Sequence, residues 1–271
     1  MIIICDGASI FLFHFEEDFK MNNYTKNVVK IKHHDREIYG VSYMPENRGK
    51  FPIVIFSHGY NGTHADFAMN SEYLAEKGIG AFCFDFCGGS IHSNSDLKTT
   101  EMSIFTEKED LSAVIDNLKE WQNVDEDNIF LFGGSQGGLV TALTAEDYKE
   151  DIKGILLLFP ALGIPDNWTN RFPAKESIPD TVEFWGVSLG RVFFESIHGY
   201  HVFEHIGKFD KEVLIFHGDQ DDIVALEYGE KALNCYANAK LEVFAGEGHG
   251  FSAAGNKRVA EMTYEFVMQN I

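Results

Sequence analysis

The chain of 271 residues is 45% hydrophobic, which is enough to bury the core of one α/β domain with an insertion. Its net charge of −20, from 22 basic and 42 acidic residues, argues against nucleic acid or a membrane surface as a partner. The four cysteines lack the spacing of metal ligands, and no stretch is long and apolar enough to span a bilayer. We therefore expect a cytoplasmic protein with reduced thiols.

Residues 1–24 are predicted to be an N-terminal extension that is open to disorder. Residues 1–5 are apolar, but no lysine or arginine precedes Lys20 and Asp6 interrupts the run, so a secretory signal is not expected. Met21 offers a second starting point. Whether residues 1–20 belong to the native protein stays open.

Two segments with alternating apolar and polar residues, 26–33 and 36–44, predict an antiparallel hairpin. Strands and helices then alternate, with strands predicted at 52–57, 79–85, 128–133, 152–159, 213–217 and 240–245 and helices at 66–77, 106–121, 136–146, 224–236 and 256–269. Thr106 and Glu109 are predicted to form the capping box of the second helix. This alternation predicts an α/β fold with a mostly parallel sheet covered on both faces.

A G-x-S-x-G sequence, residues 133–137, stands between a predicted strand and a predicted helix. This pattern is typical of the nucleophile elbow, a tight turn that strains the serine backbone and exposes its hydroxyl. The flanking glycines are needed because a larger side chain would collide with the adjoining strand or helix. Ser135 is therefore the predicted nucleophile.

Two loops near the C-terminus supply an acid and a base, and each follows a predicted strand. Asp219, Asp221 and Asp222 share the first loop, and His249 lies in the second. A serine hydroxyl needs a base at neutral pH, and the imidazole needs a carboxylate to orient it and stabilise its charged form. We predict that Asp221 and His249 fill these roles, with Asp219 and Asp222 as alternatives for the acid.

The loop after the strand at 52–57, Ser57-His58-Gly59-Tyr60, is positioned to complete an oxyanion hole. In an elbow of this kind, one backbone N–H comes from such a loop and the other from the residue after the nucleophile. The predicted donors are Tyr60 and Gln136. His58 and His217 are interpreted as structural residues bonded to backbone, and no metal or cofactor is implied.

Residues 160–211 separate the two parts of the predicted core, 25–159 and 212–271. This segment is too long for an ordinary connection, and it holds four of the six prolines and two of the three tryptophans. We interpret it as a lid over Ser135 that builds an apolar, aromatic acyl pocket.

With these motifs, residues 25–271 resemble the α/β-hydrolase superfamily, and within it the lidded bacterial cinnamoyl/feruloyl esterases. The resemblance rests on Ser57-His58-Gly59-Tyr60, on Ser135-Gln136-Gly137-Gly138 and on the position of the insertion. Gly134 departs from it, because these esterases usually carry histidine before the serine. The resemblance implies the α/β-hydrolase fold and favours Asp221 as the acid, four residues after His217.

We therefore expect a serine esterase that forms an acyl-enzyme on small-molecule aromatic or short-chain acyl esters. Asp166, Trp168 and Phe251 are predicted to contact the substrate. The alternatives are an aminopeptidase-like enzyme that uses Asp166 or Glu195 to bind a free amine, a lysophospholipase or monoacylglycerol lipase, and a non-catalytic sensor. The sequence does not determine the oligomeric state, and a homodimer stays open.

Overall fold

The computed structural model describes residues 23–46 and 49–271. The predicted N-terminal extension, residues 1–24, lies outside these residues except for its last two positions. Tyr24 already belongs to the first strand, where it pairs with Pro45.

Ten strands and seven helices are found in the described part of the chain. The strands are β1 (Tyr24–His33), β2 (Arg36–Pro45), β3 (Phe51–Ser57), β4 (Gly80–Phe84), β5 (Val124–Gly134), β6 (Ile152–Leu158), β7 (Thr181–Phe184), β8 (Val187–Gly190), β9 (Glu212–Gly218) and β10 (Ala239–Phe244). The helices are α1 (Ala68–Glu76), α2 (Ile104–Lys119), α3 (Gln136–Asp147), α4 (Ile164–Arg171), α5 (Arg191–Ile197), α6 (Leu226–Cys235) and α7 (Ala253–Asn270). Every strand and helix predicted above is present within a few residues of its expected bounds.

Eight strands form one sheet in the order β1-β2-β4-β3-β5-β6-β9-β10. The β1–β2 hairpin and the β2–β4 pair are antiparallel, and the remaining pairs are parallel. The predicted mostly parallel sheet is therefore confirmed. The carboxyl ends of its parallel strands meet at one edge, which is where an open α/β sheet places its ligand site.

The two faces of the sheet carry separate hydrophobic cores. Helices α2, α3 and α6 and the segment between β6 and β9 pack on one face. Helices α1 and α7 pack on the other, with Leu74 and Val267 both fully buried. Central strands are covered on both sides, which explains their nearly continuous apolar sequence.

The predicted capping box of α2 is wrong by one turn. Ser103 is the N-cap, and its hydroxyl accepts a hydrogen bond from the N–H of Thr106 while the Thr106 hydroxyl accepts one from the N–H of Ser103. Glu109 instead forms an ion pair with Arg36 at 2.8 Å. The helix begins earlier than its charged residues indicate, because Ile104 is buried and forms part of its apolar face.

The segment between β6 and β9 has a structure of its own. It contains α4, α5 and the two-stranded β7–β8 hairpin, together with two short 3₁₀ turns. Its aromatic residues form a cluster in which the Trp168 ring lies 5.1 Å from that of Phe184 and 4.7 Å from that of Phe194. In residues 23–46 and 49–271, no helix has the length and apolarity needed to cross a membrane.

The cap of α2 gives a test of this description. Ser103→Ala should lower the free energy of unfolding by about 1 kcal/mol, because the N–H of Thr106 loses its acceptor. Glu109→Gln is the matched control and should cost roughly 0.5 kcal/mol or less, since the carboxylate of its ion pair with Arg36 is exposed to solvent. Urea unfolding measures both. Equal losses for the two variants would contradict the observed cap.

Candidate active site

Ser135 occupies a strained turn between β5 and α3. Its backbone has φ 52° and ψ −117°, a conformation that L-residues rarely adopt. The turn is held by hydrogen bonds at both of its backbone groups: the Ser135 N–H donates to Leu158, and the Ser135 carbonyl accepts from Ala161. Strain of this kind persists only where the surroundings over-determine it, and it is typical of functional residues.

The glycines around Ser135 allow the strand and helix to approach closely. A Cβ on Gly133 would lie 2.3 Å from the carbonyl oxygen of Gly137, and one on Gly137 would lie 2.3 Å from that of Ser57. Neither position tolerates a side chain. A Cβ on Gly134 would lie 2.9 Å from the ring of Phe67, so this phenylalanine occupies the space that a side chain at position 134 would need.

The structure brings Ser135, His249 and Asp221 into one hydrogen-bonded chain. The Oγ of Ser135 lies 3.0 Å from Nε2 of His249, and Nδ1 of His249 lies 2.8 Å from Oδ2 of Asp221. The Asp221 side chain is fully buried, and that of His249 is 19% exposed. The ring of Phe159 packs against the imidazole at 4.4 Å. A nucleophile, a base and an orienting carboxylate therefore stand in reach of one another.

The loop after β9 distinguishes the three candidate acids. The second oxygen of Asp221, Oδ1, accepts the N–H groups of Ile223 and Val224 at 2.9 and 2.8 Å, which aims Oδ2 at His249. Asp219 accepts the N–H of Gly246 instead, and Asp222 is exposed. Of the three, only Asp221 contacts the imidazole.

His58 and His217 are bonded to backbone. The His58 ring, wholly buried, has Nδ1 at 2.7 Å from the carbonyl of Gly59, and its Nε2 accepts the N–H of Phe86 at 3.0 Å. Burial lowers the pKa of His58. Nε2 of His217 lies 2.8 Å from the carbonyl of Val224. Both rings support the loops that carry the site, as predicted.

Tyr60 and Gln136 line the same cavity as Ser135. Neither backbone N–H donates to a protein acceptor in the described part of the chain, so both are free to bind an oxyanion. The Tyr60 hydroxyl donates to the carbonyl of Phe184 at 2.8 Å, which ties this loop to β7. Burial raises the pKa of Tyr60 to about 12, so the phenol keeps its proton.

The cavity beside Ser135 has a volume of about 330 Å³. That is within the range of small-molecule sites. Its wall is mostly apolar and includes Ile164, Trp168, Phe184, Trp185, Leu189, Phe193, Val224 and Tyr228. Most of these residues come from the segment between β6 and β9.

Of the three residues predicted to contact substrate, the structure places only Trp168 in the cavity wall. Helix α4 presents Ile164, Asn167, Trp168 and Arg171 to the cavity, a spacing typical of one helix face. Asp166 lies on the opposite face, because each residue of a helix is rotated by about 100° from the one before. Arg171 was not among the predicted residues, although this helical spacing could have indicated it.

Phe251 lies in the second hydrophobic core and not in the cavity wall. Its ring packs 4.7 Å from that of Phe244 and 5.4 Å from that of Phe159. Its contribution is to support the loop that carries His249. Within the described ranges, no group of three or more His, Cys, Asp or Glu side chains is arranged to hold a metal ion.

Sheet order, elbow and loop positions together define an α/β-hydrolase. Comparison with known proteins agrees with this class. Residues 50–193 match the family described as serine aminopeptidase, S33. Since this match spans more than half of the sequence, the chain belongs to the S33 family of α/β-hydrolases and is a hydrolase. No curated protein matches the sequence significantly.

Solved structures show the same fold over most of the chain. Est1E from Butyrivibrio proteoclasticus with bound ferulic acid has a TM-score of 0.81 at 29% identity, covering 89% of this chain and 98% of that one. A second Est1E structure has a TM-score of 0.79 at 27% identity, covering 90% and 98%. Mouse alpha/beta hydrolase domain-containing protein 10, at 16% identity, has a TM-score of 0.74 with coverage of 90% and 99% and shows the fold alone.

The loop after β9 provides the second test. Asp221→Asn should lower the rate at which a fluorophosphonate probe labels the protein by about 10³- to 10⁴-fold, because an amide does not hold the imidazole in the tautomer that accepts a proton. Asp219→Asn and Asp222→Asn are matched controls from the same loop. Each should stay within about 10-fold of the original rate, because neither side chain contacts His249. A loss for Asp222→Asn as large as that for Asp221→Asn would identify a different acid.

Proposed function

We propose that this hydrolase is a serine esterase that cleaves small aromatic or short-chain acyl esters through an acyl-enzyme. The observation that carries the proposal is the continuous hydrogen-bonded chain from Ser135 through His249 to Asp221, open to an aromatic cavity. The S33 family membership supports hydrolysis, and the likeness to a structure with bound ferulic acid supports the aromatic acyl group.

In the proposed reaction, Ser135 attacks the ester carbonyl while Nε2 of His249 accepts the hydroxyl proton. Asp221 stabilises the imidazolium that forms. The N–H groups of Tyr60 and Gln136 bind the oxyanion, and each such donor is worth about 3–4 kcal/mol in the transition state. His249 then protonates the leaving alcohol, and the acyl group stays on Ser135. Water activated by His249 completes the cycle.

The cavity wall supports an ester in preference to a peptide with a free amine. An aminopeptidase needs a carboxylate that binds the substrate ammonium group. Asp166 and Glu195, the predicted candidates, do not line the cavity, and Glu195 forms an ion pair with Arg191 at 3.3 Å. Arg171 does line it, together with the exposed Asp222, and the Arg171 charge would repel an ammonium group.

The segment between β6 and β9 is proposed to act as the lid predicted from the sequence. It supplies the aromatic part of the wall, and Tyr60 in the oxyanion loop bonds to it through the carbonyl of Phe184. We further propose a cytoplasmic enzyme without metal or cofactor. Its excess of acidic residues would disfavour nucleic acid or an anionic membrane as a partner.

Initial rates on four substrates test the function. Methyl ferulate and p-nitrophenyl acetate should be hydrolysed. A long-chain acyl ester should be a poor substrate because the cavity has a volume of about 330 Å³, and an aminoacyl p-nitroanilide should be poor because the Arg171 guanidinium in the wall repels an ammonium group. Ser135→Ala should abolish turnover of every substrate. Activity confined to the anilide would establish the peptidase alternative, and activity confined to the long-chain ester the lipase alternative.

Acyl preference tests the aromatic wall. Trp168→Ala should lower the rate ratio of methyl ferulate to p-nitrophenyl acetate by roughly 10-fold, because the larger acyl group loses an aromatic contact worth about 1 kcal/mol or more. Phe251→Leu is the control, since this ring packs in the core outside the cavity. The ratio should stay unchanged in that variant, whatever its effect on stability. An unchanged rate ratio in Trp168→Ala would show that the acyl group does not bind against this wall.

A further inference from the structure

A buried glutamate stands behind the candidate oxyanion hole. Glu107 is on α2, and none of its surface is exposed to solvent. Both of its carboxyl oxygens lie 2.9 Å from Nε2 of Gln136. Glu107 therefore pairs with the side chain of Gln136, the residue whose backbone N–H is a predicted oxyanion donor. Burying a glutamate is costly unless its carboxyl is hydrogen-bonded, so the pairing with Gln136 is what makes this position tolerable.

Glu107 also touches the support of the second donor. A Cβ on Gly89 would lie 3.1 Å from Oε1 of Glu107, so the carboxyl and this turn are in close contact. The carbonyl of Gly89 accepts the N–H of Asn61 at 3.1 Å, and Asn61 directly follows Tyr60. One carboxyl thus contacts the side chain of Gln136 directly and reaches the segment of Tyr60 through the turn at Gly89.

We propose that Glu107 is a positioning residue that holds Gln136 and the turn at Gly89, so that the N–H groups of Gln136 and Tyr60 converge on one point. This inference rests on the proposed function and names a residue that acts through the oxyanion hole without touching substrate. Small displacements of such donors are expensive, since a misplacement of about 1 Å can cost on the order of 100-fold in rate.

The protonation state of Glu107 fits this role. Burial raises its pKa to about 8, the Gln136 amide opposes that shift, and Asp110, one turn along α2, adds to it. The guanidinium of Arg36 faces Asp110 at 3.6 Å. From the other elements, the His58 ring reaches the turn at Gly89, and burial lowers its pKa. At pH 7 a neutral carboxyl therefore lies behind the oxyanion hole.

Two substitutions separate hydrogen bonding from packing. Glu107→Gln keeps shape and hydrogen bonding, because two side-chain amides can pair. Glu107→Met keeps the volume but leaves the Gln136 amide without an acceptor. Thr144→Val is the control: it alters another buried polar residue on α3 whose hydroxyl bonds only to Val140 of its own helix.

The measured quantity is the second-order rate constant for fluorophosphonate labelling of folded protein at pH 7. Glu107→Met should lower it by about 10- to 100-fold, while Glu107→Gln and Thr144→Val should stay within about 3-fold. Gln136→Met should lose as much as Glu107→Met, and this variant tests the same pairing if Glu107→Met fails to fold. The double variant should be no slower than either single one.

A pH profile provides a readout that a merely structural role would not move. Ionisation of Glu107 places a negative charge near the developing oxyanion, so the rate of the unsubstituted protein should fall as pH rises through about 8. Glu107→Gln cannot ionise and should lose that alkaline decline. A decline of the same size in both proteins would overturn the proposal.

The outcomes separate this inference from the proposed function. If the unsubstituted protein is not labelled at all, the serine-hydrolase mechanism itself is wrong, and the role of Glu107 falls with it. If it is labelled, and folded Glu107→Met and Gln136→Met react as fast as it does, only the positioning role is overturned.

Discussion

The contact between Ser135 and His249 is the constraint on which the rest of the site depends. The two residues are 114 positions apart, and the strands that precede them, β5 and β10, are separated in the sheet by β6 and β9. Parallel strands bring both loops to the same edge of the sheet. The strained backbone of Ser135 then raises its hydroxyl to the imidazole, which Phe159 and Asp221 hold in place. A shift in any of these supports would open the 3.0 Å contact.

Asp221 and Glu107 are two buried carboxyls near the active site, and their surroundings differ. Asp221 accepts two backbone N–H groups and one imidazole, so its oxygens are well supplied with donors. Glu107 is paired with a single amide, and burial raises its pKa. We infer that the first orients the base and that the second supports the oxyanion donors. Their surroundings, more than their chemical type, assign these roles.

Much of the core could be predicted because its signals are local. The β1–β2 hairpin, the elbow at Ser135 and the loops of Asp221 and His249 all follow from short patterns beside apolar strands. The rest depends on packing. The N-cap at Ser103 and the face of α4 that lines the cavity depend on the residue at which each helix begins. The sequence did not indicate those starting residues, so Glu109 was wrongly predicted as part of the cap and Asp166 as a cavity residue. Glu107 could not be singled out, since a glutamate on a helix usually faces water.

The central claim is that His249 activates Ser135 at the elbow, and one measurement tests it most directly. After reaction with a fluorophosphonate, peptide mass spectrometry locates the modified residue in the unsubstituted protein and in His249→Gln. The account predicts a single adduct on Ser135 that becomes at least about 10³-fold slower to form without the imidazole. An adduct on a different residue, or equal rates in the two proteins, would contradict it.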